Sequence, residues 1–248
     1  MSNILLQINS LNKSYDGKTL AVNQLNLSVY EGDFVILLGL SGSGKSTLLR
    51  CINRLIEPSQ GEIRFRGNDV LNLKGTELRH YRRQIGMVFQ QFNLVKNLTV
   101  LTNVLCGRLG YHSVTAPFSK EDYELAHQNL KRMGLQDYAR KQVKHLSGGQ
   151  QQRVGIARAL MQNPALILAD EPVASLDPAT ADSIMQYLGE INREGISIIC
   201  SLHFLSLARR YGNRVLALKD GKKVFEGLPS EIDNLRFKEI YGQDAEEI

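Results

Sequence analysis

One stretch of the chain constrains its fold more than any other, because it combines a strand, a glycine-rich loop and a helix in that order. Residues 34–38 read FVILL, a short apolar run typical of a strand buried on both faces. Residues 39–46 read GLSGSGKS, and Leu48, Leu49 and Ile52 then recur at helical spacing. A glycine-rich turn between a buried strand and a helix start predicts an α/β fold with an anion-binding loop.

The loop matches the P-loop pattern and stands in the structural context that this pattern requires. Glycines let backbone N–H groups turn inward around phosphate oxygens, and the helix start adds its partial positive charge. We expect Lys45 to reach the β and γ phosphates of ATP and the Ser46 hydroxyl to bind Mg²⁺. The ATP-binding residues predicted here are Gly39, Leu40, Ser41, Gly42, Ser43, Gly44, Lys45, Ser46 and Thr47.

Strand and helix patterns divide the rest of the chain into three regions. Residues 1–89 read mostly as strands, residues 90–143 carry helical patterns, and residues 144–248 alternate helices with apolar strands. Within the last two regions, Ser119 and Asp177 are predicted to cap helices, the second one with Pro178 at its first position. We predict one α/β domain over residues 1–248, with a P-loop core and mostly parallel sheet. An N-terminal antiparallel β subdomain shares residues 1–89 and 144–248 with this core, and an inserted helical subdomain takes residues 90–143.

Two carboxylates follow the apolar strand predicted at residues 165–169. A P-loop site requires a second group on the metal side, and the end of a neighbouring buried strand is where we expect it. Asp170 is therefore predicted to complete the Mg²⁺ shell, directly or through water, together with Ser46. Glu171 is predicted to act as the general base for the attacking water.

The segment Leu146-Ser147-Gly148-Gly149-Gln150 predicts a second helix start that could attract phosphate. Its serine and glutamine form a capping box, and two glycines beside the cap leave backbone N–H groups open to an anion. One nucleotide in one chain has no use for two such sites. The segment resembles the signature of ABC (ATP-binding cassette) ATPases, in which it completes the nucleotide site of a partner subunit in a head-to-tail dimer.

This resemblance spans nearly the whole chain and implies further roles. Gln90 matches the glutamine that senses Mg²⁺ and the attacking water, and His203 matches the switch histidine near the γ-phosphate. Tyr15 matches the aromatic residue that stacks on adenine. Many transport members have proline where Leu40 stands, a departure that we discount because this side chain is expected to point away from the phosphates. The segment that resembles the loop touching the opposite subunit comprises Ser175, Leu176 and Asp177.

A finer resemblance concerns the cargo. Residues 106–111, 169–178, 201–203 and 238–242 are similar to the ATPase subunits of phosphonate importers, which include phosphite systems. The resemblance implies ATP and Mg²⁺ as cofactors. The implied partners are a second copy, an integral membrane permease and, indirectly, a secreted or periplasmic binding protein. It also implies a peripheral position on the cytoplasmic face of the membrane. Residues 92–98 suit either a groove for a permease helix or the core of the helical subdomain.

Composition narrows the alternatives. Lys and Arg total 30 against 25 for Asp and Glu, a net charge of +5 that is too mild to indicate nucleic acid. No apolar tract of about 20 residues is present, the N-terminus is unlike a signal peptide, and the three cysteines lack metal-ligand spacing. Three alternative functions remain: the ATPase subunit of another ABC importer, an efflux or lipoprotein-release subunit, and a non-transport member of the family. A P-loop ATPase acting on nucleic acid has only the basic cluster 79–83 in its favour, so no nucleic-acid partner is expected.

Overall fold

The computed structural model describes residues 3–113 and 116–243, which form two sheets flanked by helices. The first sheet is antiparallel and has the strand order β2-β1-β4-β5. Its strands are β1 (Ile4–Ser14), β2 (Leu20–Tyr30), β4 (Gln60–Phe65) and β5 (Asn68–Asp69).

The second sheet has the order β10-β9-β3-β8-β7-β6, and all its neighbours are parallel except the edge pair β9 and β10. Its strands are β3 (Phe34–Leu38), β6 (Ile85–Val88), β7 (Leu166–Ala169), β8 (Ser197–Ser201), β9 (Arg214–Lys219) and β10 (Lys222–Gly227). Parallel strands end at the same edge of a sheet, so the loops after β3, β6, β7 and β8 lie together.

Eight α-helices lie within the described ranges. They are α1 (Lys45–Ile52), α2 (Gly75–Arg83), α3 (Val100–Leu105), α4 (Lys120–Arg132), α5 (Gly148–Leu160), α6 (Pro178–Arg193), α7 (Leu205–Tyr211) and α8 (Asn234–Tyr241). Short 3₁₀ turns occupy Cys106–Tyr111, Gln136–Tyr138, Val143–His145 and Pro229–Glu231. In the part of the chain that the structure describes, no helix combines the length and the apolar character needed to cross a bilayer.

The packing of strand β3 on both of its faces explains why its sequence is apolar throughout. Phe34, Ile36 and Leu38 pack into a core shared with α3 to α6, whereas Val35 and Leu37 face a second core shared with α1 and the antiparallel sheet. A strand covered on both faces has no solvent side for polar residues. The central sheet is thereby held rigidly between two apolar layers, which fixes the edge where its loops meet.

The predicted fold class is confirmed: a mostly parallel sheet, an antiparallel sheet and a helical segment are all present. The predicted caps are confirmed as well. Ser119 accepts from the amide of Asp122 at the start of α4, and Asp177 accepts from the amide of Thr180 ahead of Pro178. The described residues of 90–143 hold α3, α4 and short turns with one isolated bridge. The subdomain boundaries stay a prediction.

Candidate functional site

The loop between β3 and α1 is closed by glycines that no other residue could replace. Gly39 and Gly44 have φ of 140° and 105°, in the region that L side chains rarely adopt. A Cβ at Gly39 would collide with the carbonyl oxygen of Leu218, and one at Gly44 with that of Ala21. The loop therefore packs its backbone tightly against neighbouring strands, which leaves its inner side to a ligand.

Lys45 lies at the centre of this loop and is only 3% exposed. Its Nζ donates to the carbonyl oxygens of Gly39 at 2.8 Å and Leu40 at 3.0 Å, and it lies 3.7 Å from Oε1 of Glu171. Burial lowers the pKa of Lys45, and the negative charge of Glu171 opposes that shift. A phosphate entering the loop would supply the buried ammonium with a stronger partner than two carbonyls.

Asp170, at the end of β7, is buried against hydroxyl donors. Its Oδ1 accepts from Ser46 Oγ at 2.7 Å and from Ser201 Oγ at 3.2 Å, and its Oδ2 lies 3.8 Å from Arg50. Asp170 is 3% exposed. The buried side chain therefore has the hydrogen-bond partners that a polar group away from water requires.

Glu171 follows in an unusual backbone conformation. Its φ of 46° is in the left-handed region, and its N–H donates to Ser201 Oγ at 2.8 Å. Its Oε1 lies 2.7 Å from Nε2 of His203, which stands in the loop after β8. The same oxygen, Oε1, thus contacts the His203 imidazole and lies 3.7 Å from the Lys45 ammonium.

Two residues predicted to contact nucleotide or metal stand at the rim. Tyr15 is 63% exposed, with its hydroxyl 3.2 Å from Thr47 Oγ1 at the start of α1. Lys13 Nζ lies over the ring, 5.1 Å from its centre, so stacking would use the face that Lys13 leaves uncovered. Gln90 is exposed just beyond β6. Asp170 N–H donates to the carbonyl oxygen of Val88 at 2.9 Å, which brings the β6 and β7 ends together.

The second predicted helix start is formed but lies elsewhere. The Ser147 N–H donates to Gln150 Oε1 at 2.9 Å, and the Gln150 N–H donates to Ser147 Oγ at 3.3 Å, which confirms the capping box. An open cavity of about 310 Å³ lies beside it. Among the described residues, its lining comes only from α5, α6 and the Ser147 cap: Ser147, Gly149, Gln150, Arg153, Ala179, Thr180, Ser183 and Ile184. No residue of the glycine-rich loop contributes to it.

The model of the ABC transporter family matches residues 22–174 of this sequence, well over half of the chain. The chain belongs to the ABC transporter family. Like the ATP-binding proteins of that family, it is an ATPase.

Curated relatives match the ABC chain over nearly its full length. The phosphonates import ATP-binding protein PhnC of Bdellovibrio bacteriovorus is 48% identical over 254 residues, covering 100% of this chain and 97% of that protein. PhnC of Bacillus anthracis is 50% identical over 243 residues, covering 96% of this chain and 95% of that protein. The predicted resemblance to phosphonate import ATPases is confirmed.

Solved ABC structures share the fold. An ATP-binding cassette in a dimeric post-hydrolysis state with ADP and Pi has a TM-score of 0.81 and 39% identity, over 91% of this chain and 99% of that chain. An ABC transporter cassette in its ADP conformation has a TM-score of 0.85 and 30% identity, over 96% of both chains.

In this ABC ATPase the predicted residues fall into two groups. The glycine-rich loop, Asp170, Glu171 and His203 are linked by the contacts given above, and Tyr15 and Gln90 stand at their rim. Ser147 and Gln150 form a separate group with α6, the helix that Asp177 caps. Their roles stay predictions, but their grouping is a property of the fold.

The sequence analysis did not predict the contacts that two residues, Ser201 and Tyr241, make in this site. Ser201 binds both Asp170 and Glu171, and the Tyr241 hydroxyl donates to the carbonyl oxygen of His203 at 3.0 Å. A serine that ends an apolar strand two residues before a predicted catalytic histidine was the available signal for Ser201. Nothing local to Tyr241 indicates a partner 38 residues away.

Proposed function

We propose that the chain is the ATP-hydrolysing subunit of an ABC importer and works as a head-to-tail pair around two ATP molecules. The observation that carries this proposal is the separation of two anion-binding features on one chain. The glycine-rich loop and its carboxylates form one group, whereas Ser147 opens onto a cavity that the loop does not line. A second copy could bring its Ser147 segment to the nucleotide held by Lys45.

The oxygen donors beside the loop suit Mg²⁺. Ser46 Oγ and Asp170 Oδ1 lie 2.7 Å apart, so both can reach one ion. No group of three or more His, Cys, Asp or Glu that could hold a metal occurs among residues 3–113 and 116–243. Mg²⁺ usually binds one or two protein oxygens together with substrate phosphates and water. Ser46 and Asp170 would supply those protein oxygens, and Gln90 is proposed as a further contact.

We propose the following roles for the side chains of the site. Lys45 would bind the β and γ phosphates, while Mg²⁺ supplies charge neutralisation to those oxygens. Glu171 would orient the attacking water and accept its proton as the water oxygen bonds to the γ-phosphorus and the bond to the β,γ-bridging oxygen breaks, with ADP as the leaving group. His203, 2.7 Å from Glu171, would hold that carboxylate in place and lie near the γ-phosphate. Tyr15 would stack on adenine, and Ser175 to Asp177 would contact the opposite subunit.

The cargo we propose is a phosphonate- or phosphite-type anion, because the curated relatives are named phosphonates import proteins. The proposed partners are a separate integral membrane permease, with the helical subdomain of residues 90–143 on its side, and indirectly a binding protein. The chain would act at the cytoplasmic face of the membrane. Another importer or an efflux system would use the same ATP site.

A specific contact argues against the nucleic-acid alternative. Two arginines of the basic cluster 79–83 are engaged in structural bonds: Arg82 donates to the carbonyl oxygen of Asn53, and Arg83 donates to that of Gly110 at 2.7 Å. Tyr81 of the same cluster is buried. The cluster therefore holds α2 to its neighbours and offers few free groups to a phosphate backbone.

ATP-driven pairing is the direct test. We expect size-exclusion chromatography with ATP to show a dimer, most clearly for Glu171→Gln, in which slow hydrolysis preserves the closed pair. Without ATP, or with Lys45→Ala, the same protein should elute as a smaller species. A monomer that hydrolyses ATP at full rate at every concentration would refute the shared site.

Mixing two inactive variants tests the composition of the site. Lys45→Ala and Ser147→Arg each remove one half of every site in a homodimer. A mixed dimer regains one intact site, because one chain contributes its native Lys45 and the other its native Ser147. We expect the mixture to recover part of the wild-type turnover. As a control, the Lys45→Ala, Ser147→Arg double variant replaces either single variant in the mixture, and we expect no recovery because no intact site can then form.

A further inference from the structure

Ser201 is a buried polar residue on a central strand of the parallel sheet. It ends β8, the strand that pairs with β3 on one side and with β7 on the other. Its exposed fraction is 0%. β3 leads into the glycine-rich loop and β7 leads into Asp170 and Glu171, so Ser201 lies between the two halves of the site.

The Ser201 hydroxyl uses both of its hydrogen-bonding capacities within the site. It donates to Asp170 Oδ1 at 3.2 Å and accepts from the Glu171 N–H at 2.8 Å. Ser46 Oγ donates to the same Asp170 oxygen at 2.7 Å. One hydroxyl therefore fixes a side-chain oxygen of Asp170 and the backbone of Glu171 together.

The backbone of Glu171 requires such support. Its φ of 46° is in the left-handed region, which residues other than glycine adopt at a cost in free energy. That conformation turns the Glu171 side chain toward His203 and Lys45. If the N–H of Glu171 lost its acceptor, a partly buried donor would be left unpaired, and a more ordinary backbone conformation would become competitive.

We propose that Ser201 is a positioning residue for hydrolysis, which aligns the Mg²⁺-side carboxylate and the general base with each other. The inference rests on the proposed function, in which Asp170 and Glu171 have these roles. Ser201 itself touches neither nucleotide nor water in this account. It acts through the two residues it binds.

Strand β8 contains a matched control. Ser197, at the other end of the strand, is 1% exposed, accepts from the Gly32 N–H at 2.9 Å and donates to the carbonyl oxygen of Tyr30 at 3.4 Å. Ser197→Ala therefore removes the same group from the same strand, and it likewise removes the acceptor of a backbone N–H. It differs from Ser201→Ala in its distance from the site and in its own acceptor, which is a backbone carbonyl rather than a carboxylate.

The experiment compares Ser201→Ala with Ser197→Ala in the full chain. We expect similar losses in melting temperature for both, because each leaves a partly buried backbone donor without its acceptor. We expect only Ser201→Ala to lower kcat, by about tenfold or more, with KM for ATP nearly unchanged. We also expect Ser201→Ala to lose part of the gain in ATP affinity that Mg²⁺ brings, measured by equilibrium titration with a fluorescent ATP analogue.

Two further variants keep the result decisive. Ser201→Cys preserves the size of the side chain with weaker hydrogen bonding, so it should fold and show an intermediate kcat if Ser201→Ala is too unstable to assay. Equal turnover in the Ser201 and Ser197 variants, per folded molecule, would overturn the positioning role. If Glu171→Gln also kept its turnover, the proposed base itself would be wrong. If only that variant lost turnover, the error would lie in the role of Ser201 alone.

Discussion

At the scale of single residues, the site is organised around Glu171. Its carboxylate is shared between His203 and Lys45, at 2.7 and 3.7 Å. The ammonium of Lys45 is buried. If Lys45 binds phosphate and Glu171 is the base, as proposed, nucleotide binding would be coupled to the base through this one cation.

The proposed role of Glu171 predicts the effect of one substitution. Glu171→Gln keeps the shape of the side chain but cannot accept a proton, so we expect steady-state turnover to fall roughly 10²–10⁴-fold with ATP binding retained. Turnover and equilibrium ATP binding would be measured side by side. Glu190→Gln, at an exposed position on α6, is the control and should leave both unchanged. Near-wild-type turnover of Glu171→Gln would remove Glu171 from the mechanism.

At the scale of elements, the segment after β6 connects the site to the helical region. Its backbone is anchored: Asn103 Oδ1 accepts from the Val95 N–H at 2.8 Å, and Arg158 donates to the carbonyl oxygen of Phe92 at 2.9 Å. Leu94 is half-buried against the larger core, whereas Val95 is 54% exposed. Leu94 therefore fits the core alternative, and the permease groove stays a prediction for the exposed residues of the segment.

This division predicts different outcomes at neighbouring positions. Leu94→Asp places a charge against the core, so we expect a lower melting temperature and loss of both ATPase activity and transport. Val95→Asp changes an exposed side chain, so we expect normal melting and ATPase activity of the isolated protein but impaired transport in the assembled system. Equal loss of ATPase activity in both variants would assign the whole segment to the core.

At the scale of the whole molecule, the proposed function assigns no cargo site to this chain. The glycine-rich loop would serve a nucleotide, and the Ser147 segment would serve the nucleotide of a second copy. Hydrolysis would then make a conformational cycle directional, and selectivity would reside in the permease and the binding protein.

The cargo assignment is testable by growth. A strain lacking the gene is expected to fail on phosphite or a simple alkylphosphonate as sole phosphorus source and to grow on phosphate. The wild-type gene should restore growth and Lys45→Ala should not, because the loop would lose its phosphate-binding cation. The strain must carry no second such system. Unimpaired growth on every reduced phosphorus source would contradict the assignment of a phosphonate- or phosphite-type cargo, and it would leave the ATPase assignment intact.

Features that depend on neighbours in the sequence could be predicted from the sequence alone. The strand–loop–helix order around Lys45, the capping boxes at Ser119 and Ser147, and the cap at Asp177 are all present in the structure. Each is governed by hydrogen bonds and side-chain spacing within a few residues, so local pattern is sufficient information. Family resemblance supplied Gln90 and His203, which no local pattern singles out.

Only the tertiary structure decided which distant groups meet. The strand order β3-β8-β7 places Ser201 between Asp170 and Glu171, and it brings His203 to a residue 32 positions earlier. Strand order depends on how two apolar layers cover the sheet, an interaction spread over many residues far apart in the chain. The Ser147 segment shows the same division. Its local sequence predicts that a helix begins there, but only the packing of that helix on α6 shows that the Ser147 cavity lies away from the glycine-rich loop.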